Sequence, residues 1–231
     1  MIKFIQDLFL SAGIILKKVR PENNTWLTSR GINTIIDVGA NTGQFAERFS
    51  KILPDAKVIS FEPIKGVYDE LVKNTANLNV KTYNCALGDK DEAVEINISK
   101  HSPSSSLLEM ANLHTKVFAG TEFEKKERIT VKTLDGIALE LGNLGKFIVK
   151  LDVQGFEDRV ILGGKETLKK ADLVILETSF QELYVGQMLF NGIYDLLNEL
   201  GFEFRGNLSQ ALNPKDGSIL YADSVFANTR L

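Results

Sequence analysis

The fold is decided by the stretch Thr34-Ile35-Ile36-Asp37-Val38-Gly39-Ala40-Asn41-Thr42-Gly43-Gln44-Phe45. Its first five residues form a mostly apolar run that Gly39 ends, which predicts a buried strand. A helical pattern follows, with Phe45 and Phe49 on one face, and Pro54 stops it. A buried strand that passes through a glycine turn into a helix is typical of an open α/β sheet.

The same alternation continues on the C-terminal side of this stretch. Apolar runs bounded by turn residues predict further strands over residues 57–62, 80–87, 93–99, 129–133, 146–153 and 173–178. Helical spacing predicts helices around residues 67–72, 157–162 and 193–200. The last two strands, 202–205 and 219–227, are joined by a loop without a helix, which predicts an antiparallel pair. We therefore predict an α/β, Rossmann-like, doubly wound sheet that is mostly parallel and ends in a C-terminal antiparallel hairpin.

The first 25 residues are predicted to form a separate extension. Apolar residues such as Ile5, Leu8 and Leu16 recur between polar ones, which indicates an amphipathic helix, and Pro21 marks its end. The segment is too short and too polar for a membrane span, and it has no signal-peptide pattern. We expect it to pack on the domain, residues 26–231, or on a second copy as a homodimer contact.

The middle of the chain contains a polar segment, residues 100–127, that is rich in Ser, Lys and Glu. It separates two predicted strands. Its length favours a functional lid or a helical insertion over a simple connector.

Composition limits the function classes. The net charge of −3 and the pI of about 5.6 do not favour nucleic acid or an anionic membrane as partner. One cysteine, Cys85, and two histidines exclude a disulfide framework and disfavour a Cys/His metal cluster. The expected location is the reducing environment of the cytoplasm.

The first strand–helix turn is predicted to bind a cofactor. Gly39 and Gly43 lie where a strand meets a helix N-terminus, and without Cβ atoms they let a ligand approach the backbone. Their spacing is G-x-x-x-G rather than the G-x-G-x-x-G that cradles a pyrophosphate. Asp37, two residues before the first glycine, is unfavourable beside a diphosphate and suits the ammonium group of an amino-acid moiety.

A second acid strengthens this prediction. Glu62 ends the second strand, 23 residues after Gly39, where a carboxylate can accept hydrogen bonds from both ribose hydroxyls. An acid at this position also fits NAD. Only the combination of Glu62 with the glycine turn therefore distinguishes this cofactor site from an NAD site. Ala86 and Leu87 end the third predicted strand and suit the face of an adenine ring.

Several motifs occur in a specific order. They are Asp37 to Phe45, Phe61-Glu62-Pro63, Asn84-Cys85-Ala86-Leu87-Gly88, Ser104-Ser105-Ser106-Leu107, Thr133-Leu134-Asp135, Lys150-Leu151-Asp152-Val153-Gln154-Gly155-Phe156-Glu157, Glu177 and Ala222-Asp223-Ser224-Val225-Phe226. In this order, over roughly residues 26–228, they resemble the FkbM-type methyltransferases. The resemblance implies a seven-stranded methyltransferase sheet, S-adenosyl-L-methionine as cofactor and O-methylation of a hydroxyl. Acceptors among such relatives include sugars and polyketide-type natural products, so we expect a small-molecule, sugar or polysaccharide-precursor acceptor.

The motifs and the resemblance together give a set of candidate site residues. The expected cofactor-binding residues are Asp37, Gly39, Ala40, Asn41, Gly43, Phe45, Glu62, Pro63, Ala86, Leu87, Ser106 and Asp152. Three aromatic residues are candidates for a wall against a sugar ring, or for the core: Phe180, Tyr184 and Phe190.

The expected catalytic residues are acids at strand ends and one histidine. A hydroxyl is a weak nucleophile, so an O-methyltransferase gains from a base that removes its proton. Asp152 falls at a strand's carboxyl end, as general base or as an anchor for cofactor and acceptor. Glu177 ends the next strand and suits an acceptor hydroxyl or, with Asp152, a divalent ion, although a metal is not expected. His101 and His114, both in the polar segment, are the candidates for a histidine base.

Two other classes of function remain open at this point. A nicotinamide-dependent oxidoreductase uses a similar sheet, but it needs a G-x-G-x-x-G turn and a proton relay, and neither is visible. A non-catalytic scaffold that keeps the cofactor fold is the second alternative, and the retained Asp37, Glu62 and Asp152 argue against it.

Overall fold

The computed structural model describes residues 24–231. The chain divides into two units, residues 1–30 and residues 31–231. In the described part of the first unit lies one short helix, α1 (Thr25–Thr28). The predicted amphipathic helix and the homodimer contact expected from it fall on residues 1–23, outside the described residues. The predicted domain boundary at residue 26 stays a prediction.

The second unit alternates strands and helices. Its strands are β1 (Thr34–Val38), β2 (Lys57–Phe61), β3 (Val80–Tyr83), β4 (Ala86–Gly88), β5 (Glu92–Ser99), β6 (Phe123–Thr133), β7 (Phe147–Leu151), β8 (Leu173–Ser179), β9 (Phe202–Leu212) and β10 (Ile219–Asn228). Its helices are α2 (Gln44–Ile52), α3 (Lys65–Thr75), α4 (Asn112–Val117), α5 (Leu134–Leu141), α6 (Glu157–Leu162), α7 (Lys165–Leu168) and α8 (Phe190–Glu199), with a 3₁₀ turn at Ser102–Ser104.

Seven strands form one sheet in the order β3-β2-β1-β7-β8-β10-β9. The four pairs from β3 to β8 are parallel, whereas β8–β10 and β10–β9 are antiparallel. The predicted seven-stranded, mostly parallel, Rossmann-like α/β sheet with a C-terminal antiparallel hairpin is thereby confirmed.

The central strands are buried along their whole length. Every residue of β1 and of β7 is buried, as in parallel sheets that are covered on both faces. This explains why both strands are mostly apolar, with Asp37 and Lys150 as the charged exceptions. Because their faces are covered, a ligand gains access at the edge where the carboxyl ends of the parallel strands meet.

One strand that was predicted to be continuous is divided into two strands in the structure. Residues 80–87 were expected to be continuous, but β3 joins the large sheet and β4 joins a second, three-stranded sheet in the order β4-β6-β5. Between them, the Asn84 side chain donates to the carbonyls of Glu62 and Pro63, both at 2.9 Å, and turns the chain. The prediction was wrong because the hydrophobic pattern of residues 80–87 does not reveal that the chain turns at Asn84.

Two strands are longer than predicted. The polar segment 100–127 contains the 3₁₀ turn and α4, but its last residues belong to β6, which begins at Phe123 rather than at residue 129. Likewise β9 continues to Leu212 instead of ending at residue 205, so the hairpin loop shortens to residues 213–218. In both cases pairing with the neighbouring antiparallel strand outweighs a composition that is poor in β-formers.

Within residues 24–231, no helix combines the length and the apolar character that crossing a bilayer requires.

Candidate active site

The turn between β1 and α2 is shaped by its glycines. Gly39 has φ +76°, and a Cβ at this position would lie 1.9 Å from the carbonyl oxygen of Asp152. The turn is fixed to β2, because the amides of Gly39 and Ala40 both donate to the carbonyl of Phe61, at 3.1 and 3.0 Å. Gly43, with φ +99°, precedes the first residue of α2. The backbone therefore comes close to the end of β7 at a point where only glycine fits.

Glu62 closes this turn from the side of β2. Its Oε2 accepts the amide of Asn41 at 3.0 Å, and its Oε1 accepts the amide of Ile64 at 2.9 Å. Burial raises the pKa of Glu62 to about 7. Each carboxylate oxygen carries two lone pairs, so both can still accept a hydrogen bond from a ligand.

Lys150 links β1, the glycine turn and the end of β7. Its Nζ donates to the carbonyl of Gly39 at 2.9 Å and lies 3.2 Å from Asp37 Oδ1 and 3.5 Å from Asp152 Oδ2. Burial lowers the pKa of Lys150, but the carboxylates of Asp37 and Asp152 outweigh burial and raise it above the ordinary lysine value. The ammonium group is therefore charged inside the protein.

Asp152 and Glu177 lie side by side at the carboxyl ends of β7 and β8. The register pairs Leu151 with Leu176, so the two acids follow at the same level on neighbouring strands. Asp152 Oδ1 accepts the side-chain amide of Gln154 at 2.8 Å, whereas among the described residues the Glu177 carboxylate has no hydrogen-bond partner. Burial, reinforced by the negative charges of Asp152 and Glu157, raises the pKa of Glu177 well above the ordinary value.

A cavity of about 640 Å³ brings most of the predicted site residues together. The predicted residues on its walls are Gly39, Asn41, Glu62, Pro63, Ala86, Leu87, His101, Ser106, Asp152 and Glu177. The predicted residues that do not contribute to its walls are Asp37, Ala40, Gly43 and Phe45. Asp37 is 0% exposed and pairs with Lys150 behind the wall, while Phe45 stacks on Phe49 at 4.0 Å. The cofactor turn and the paired acids thus face one space.

The polar segment 100–127 forms one wall of this cavity. Ser102 Oγ accepts the Asn41 side chain at 3.2 Å, which ties the segment to the cofactor turn. Ser106 Oγ donates to the carbonyl of Gln154 at 2.7 Å, which ties it to the end of β7. His101 is exposed at the rim. The segment is therefore bonded to both halves of the site.

A chain of polar groups beside Asp152 was not predicted from the sequence. Gln154 has φ +55°, which is unusual for a residue other than glycine. Its Oε1 accepts the hydroxyl of Tyr184 at 2.7 Å, and that hydroxyl lies 3.3 Å from His114 Nε2. Gln154 and His114 both line the cavity. Gln154 was visible as part of the motif around Asp152, and Tyr184 and His114 were separate candidates. No local pattern joined the three, because they come from distant segments.

The aromatic residues take other positions than a sugar-binding wall requires. Tyr184 is buried and bonded to Gln154. Phe180 and Phe190 stack on each other at 5.2 Å, and neither lines the cavity. The aromatic side chains that do face it on the acceptor side are Phe118 and Tyr221, with ring centroids 6.5 Å apart. Neither residue was predicted from the sequence as part of an aromatic wall.

No group of three or more His, Cys, Asp or Glu side chains in the described part of the chain is arranged to hold a metal ion.

Comparison with known proteins assigns the family. Residues 37–204 match the methyltransferase FkbM domain. The 2-O-methyltransferase NoeI of Sinorhizobium fredii is 31% identical over 170 residues, which cover 71% of this chain and 70% of that protein. The methyltransferase sdnD of Sordaria araneosa is 29% identical over 157 residues, which cover 57% of this chain and 60% of that protein.

Among solved structures, a TehB-like SAM-dependent methyltransferase from Corynebacterium glutamicum matches 99% of this chain and 96% of its own, with 12% identity and a TM-score of 0.41. Neither the oxidoreductase nor the scaffold alternative finds support among the relatives in sequence. Because the family match spans most of the chain and includes both the glycine turn and the acids at the strand ends, the chain belongs to the FkbM methyltransferase family and is an S-adenosylmethionine-dependent methyltransferase.

Proposed function

We propose that this enzyme methylates a hydroxyl group of a small-molecule, sugar or polysaccharide-precursor acceptor. The observation that carries the proposal is the unpaired carboxylate of Glu177, which faces the same cavity as Gly39 and Glu62 of the cofactor turn. A hydroxyl is the acceptor that most needs a base. The relative NoeI, a 2-O-methyltransferase, supports the same choice.

The cofactor side of the cavity suits S-adenosylmethionine. Glu62 offers a carboxylate to the ribose hydroxyls, and Ala86 and Leu87 give an apolar surface for the adenine. The backbone at Gly39 and Asn41 borders the cavity, so a ligand can lie directly against it. The carboxylates of Glu62 and Asp152 favour a ligand that carries positive charge. The bound cofactor supplies a methyl group activated by its sulfonium.

We assign different tasks to the two acids on the acceptor side. Both Asp152 oxygens are engaged, one by Gln154 and the other by the nearby ammonium of Lys150, so Asp152 acts as an anchor. Glu177 has free oxygens and a raised pKa, which suits a general base. Glu177 takes the hydroxyl proton while the acceptor oxygen bonds to the methyl carbon and the carbon–sulfur bond breaks. His101, at the rim, is a candidate contact for the outer part of the acceptor.

The acceptor side favours an uncharged ring compound. Phe118, Leu183 and Tyr221 offer apolar surface, and Ser104 and Ser105 offer hydroxyl and backbone groups. The charged residues on the described walls are carboxylates, with no lysine or arginine among them. A neutral glycoside matches this combination better than a phosphorylated or carboxylated one, which these carboxylates would repel.

The cofactor is tested by calorimetric titration of the purified protein with S-adenosylhomocysteine, with NAD⁺ as comparator. Glu62→Gln removes the carboxylate charge at nearly constant size, and Glu95→Gln is its matched control on an exposed position of β5. We expect binding of S-adenosylhomocysteine alone, weakened by roughly tenfold in Glu62→Gln and unchanged in Glu95→Gln. Binding of NAD⁺ alone, or of neither ligand, contradicts the proposed function.

The acceptor class is tested by methyl transfer to a panel of neutral glycosides, matched sugar phosphates and uronic acids. Each reaction is run with Mg²⁺ and with a chelator, since a divalent metal is not expected to be required. We expect transfer to neutral members in both conditions. Transfer confined to the phosphorylated members contradicts the assigned acceptor class. A cytoplasmic location, expected from the single buried cysteine Cys85, stays a prediction.

A further inference from the structure

Lys150 is a charged residue that the proposed chemistry does not use. It is buried within the sheet, and its side chain does not line the cavity. Its ammonium nevertheless reaches three oxygen atoms on three segments: Asp37 at the end of β1, Gly39 in the cofactor turn and Asp152 at the end of β7. A buried charge with this many specific partners must be explained by what it holds together.

The partners match the donor capacity of a lysine. An ammonium group has three N–H donors and no acceptor. Lys150 donates a hydrogen bond to the Gly39 carbonyl at 2.9 Å and forms ion pairs with Asp37 at 3.2 Å and Asp152 at 3.5 Å. Nζ also lies 5.5 Å from the ring centroid of Phe45, on the side of α2. Arginine has a planar group with five donors and does not fill this space in the same way. The position therefore selects a single compact cation.

The three partners differ in what they do. Asp37 is fully buried and does not line the cavity. Its described side-chain partners are Lys150 and Ser60, whose hydroxyl donates to Asp37 Oδ2 at 3.4 Å. Gly39 belongs to the turn that faces the cofactor, and Asp152 belongs to the acceptor side. The ammonium thus connects the two halves of the active site, and Asp37 keeps it in place.

We propose that Lys150 is a positioning residue that sets the distance between the cofactor turn at Gly39 and the Asp152 carboxylate, while touching neither substrate. This inference rests on the proposed function, because it assumes that the cofactor binds at Gly39. It gives Asp37 a different task from the direct ammonium contact predicted above: the cation that Asp37 holds is the side chain of Lys150.

The test separates positioning from structural support. Lys150→Met alone leaves the buried Asp37 without its cationic partner, and removing one member of a buried ion pair is strongly destabilising. The double variant Asp37→Leu/Lys150→Met removes both charges, a change that buried pairs often tolerate. Lys146→Met is the matched control, because Lys146 is exposed just before β7. Each protein is measured by urea unfolding and by titration with S-adenosylhomocysteine.

We expect the single variant to lose both stability and affinity. The double variant should recover most of the stability but still bind S-adenosylhomocysteine roughly tenfold more weakly than the wild type. Binding by the double variant within about twofold of the wild type overturns the inference, because the lysine then only balances Asp37. Lys146→Met should change neither quantity.

Two further outcomes distinguish a failure of the Lys150 inference from a failure of the proposed function. If the wild type itself does not bind S-adenosylhomocysteine, the proposed function fails and the inference fails with it. If the wild type binds but the double variant does not fold, Lys150→Gln is measured instead, since its amide keeps a polar group but not three donors. Wild-type affinity in Lys150→Gln overturns the inference, and a roughly tenfold loss supports it.

Discussion

Tyr184 donates its hydroxyl to Gln154 Oε1 at 2.7 Å, while Gln154 donates its side-chain amide to Asp152 Oδ1 at 2.8 Å. Tyr184 is 1% exposed, whereas Gln154 is half-buried and lines the cavity. A tyrosine from the loop after β8 therefore fixes the side chain that holds an acid at the end of β7. The polar segment takes part as well, because His114 Nε2 lies 3.3 Å from the same hydroxyl.

Tyr184→Phe should therefore loosen Asp152 while keeping the ring in place. Loss of the hydroxyl leaves Gln154 Oε1 without its buried donor, so we expect a destabilisation of about 1–3 kcal/mol. Methyl transfer should fall more than affinity for S-adenosylhomocysteine, because the change acts on the acceptor side. Urea unfolding measures the stability, calorimetry the affinity for S-adenosylhomocysteine, and a methyl-transfer assay the activity.

Tyr194→Phe is the matched control for this prediction. Its ring packs near Phe190 and Phe226, but it is 39% exposed. We expect a change within about 0.5 kcal/mol. Equal losses of stability in the two variants would contradict a special role for the Tyr184 hydroxyl.

Gly39→Ala tests the close approach of the cofactor turn to β7. The new Cβ would lie 1.9 Å from the Asp152 carbonyl oxygen, and the backbone has φ +76°. Gly217→Ala is the matched control, because Gly217 has φ +73° in the β9–β10 loop with nothing within 4 Å. The control should lose only the conformational cost of about 1–2 kcal/mol. Gly39→Ala should lose more in urea unfolding and should not bind S-adenosylhomocysteine; equal losses would show that backbone strain alone explains the glycine.

Much of the fold could be predicted because its central strands are covered on both faces. β1 and α6 were predicted with the observed bounds, since an apolar run and a helical period are local signals. The extensions of β6 and β9 could not be predicted, because antiparallel pairing stabilises Glu124 to Glu127 and Ser209 to Leu212 from outside their own sequence. The break at Asn84 depends on two carbonyls of another loop.

The candidate site was predicted in part for the same reason. Gly39, Glu62 and Asp152 stand at strand ends, and parallel topology alone brings such positions to one edge. Lys150 was visible in the motif, but its three partners depend on the register of β7 against β1. Tyr184 and His114 reach the site from segments 70 residues apart, and no local pattern joins them.

Buried carboxyl groups should give the unliganded protein an unusual pH dependence of stability. Burial raises the pKa of Glu62 from 4.5 to about 7, so the folded state holds a proton that the unfolded state has already lost between these values. Stability should therefore fall as pH rises from about 4.5 to about 7 and should not change further above it on account of this group. The full effect of a shift of this size is about 3 kcal/mol.

Glu62→Gln should remove this contribution. Glu157, whose pKa burial also raises to about 7, keeps part of the slope in the variant. Urea unfolding at a series of pH values measures the slope, with Glu95→Gln as the control that should follow the wild type. A wild-type slope in Glu62→Gln would mean that Glu62 is ionised throughout this range in the folded protein.

Glu177→Gln should separate the chemical step from cofactor binding. If Glu177 is the base, the variant should lose about 10²-fold or more in kcat with an acceptor from the panel. Its affinity for S-adenosylhomocysteine should stay near that of the wild type, because the carboxylate has no described partner in the cofactor turn. Asp223→Asn is the matched control: Asp223 pairs in register with Glu177 but does not line the cavity.

The pH dependence of kcat tests independently whether Glu177 is the base. A base must be deprotonated to act, so kcat should rise with pH through the pKa of Glu177, and burial with the charges of Asp152 and Glu157 places that rise well above 4.5. This limb should vanish in Glu177→Gln and persist in Asp223→Asn. If it persists in Glu177→Gln and vanishes in Asp152→Asn instead, Asp152 is the base, and the bonds from Gln154 and Lys150 orient it for that task.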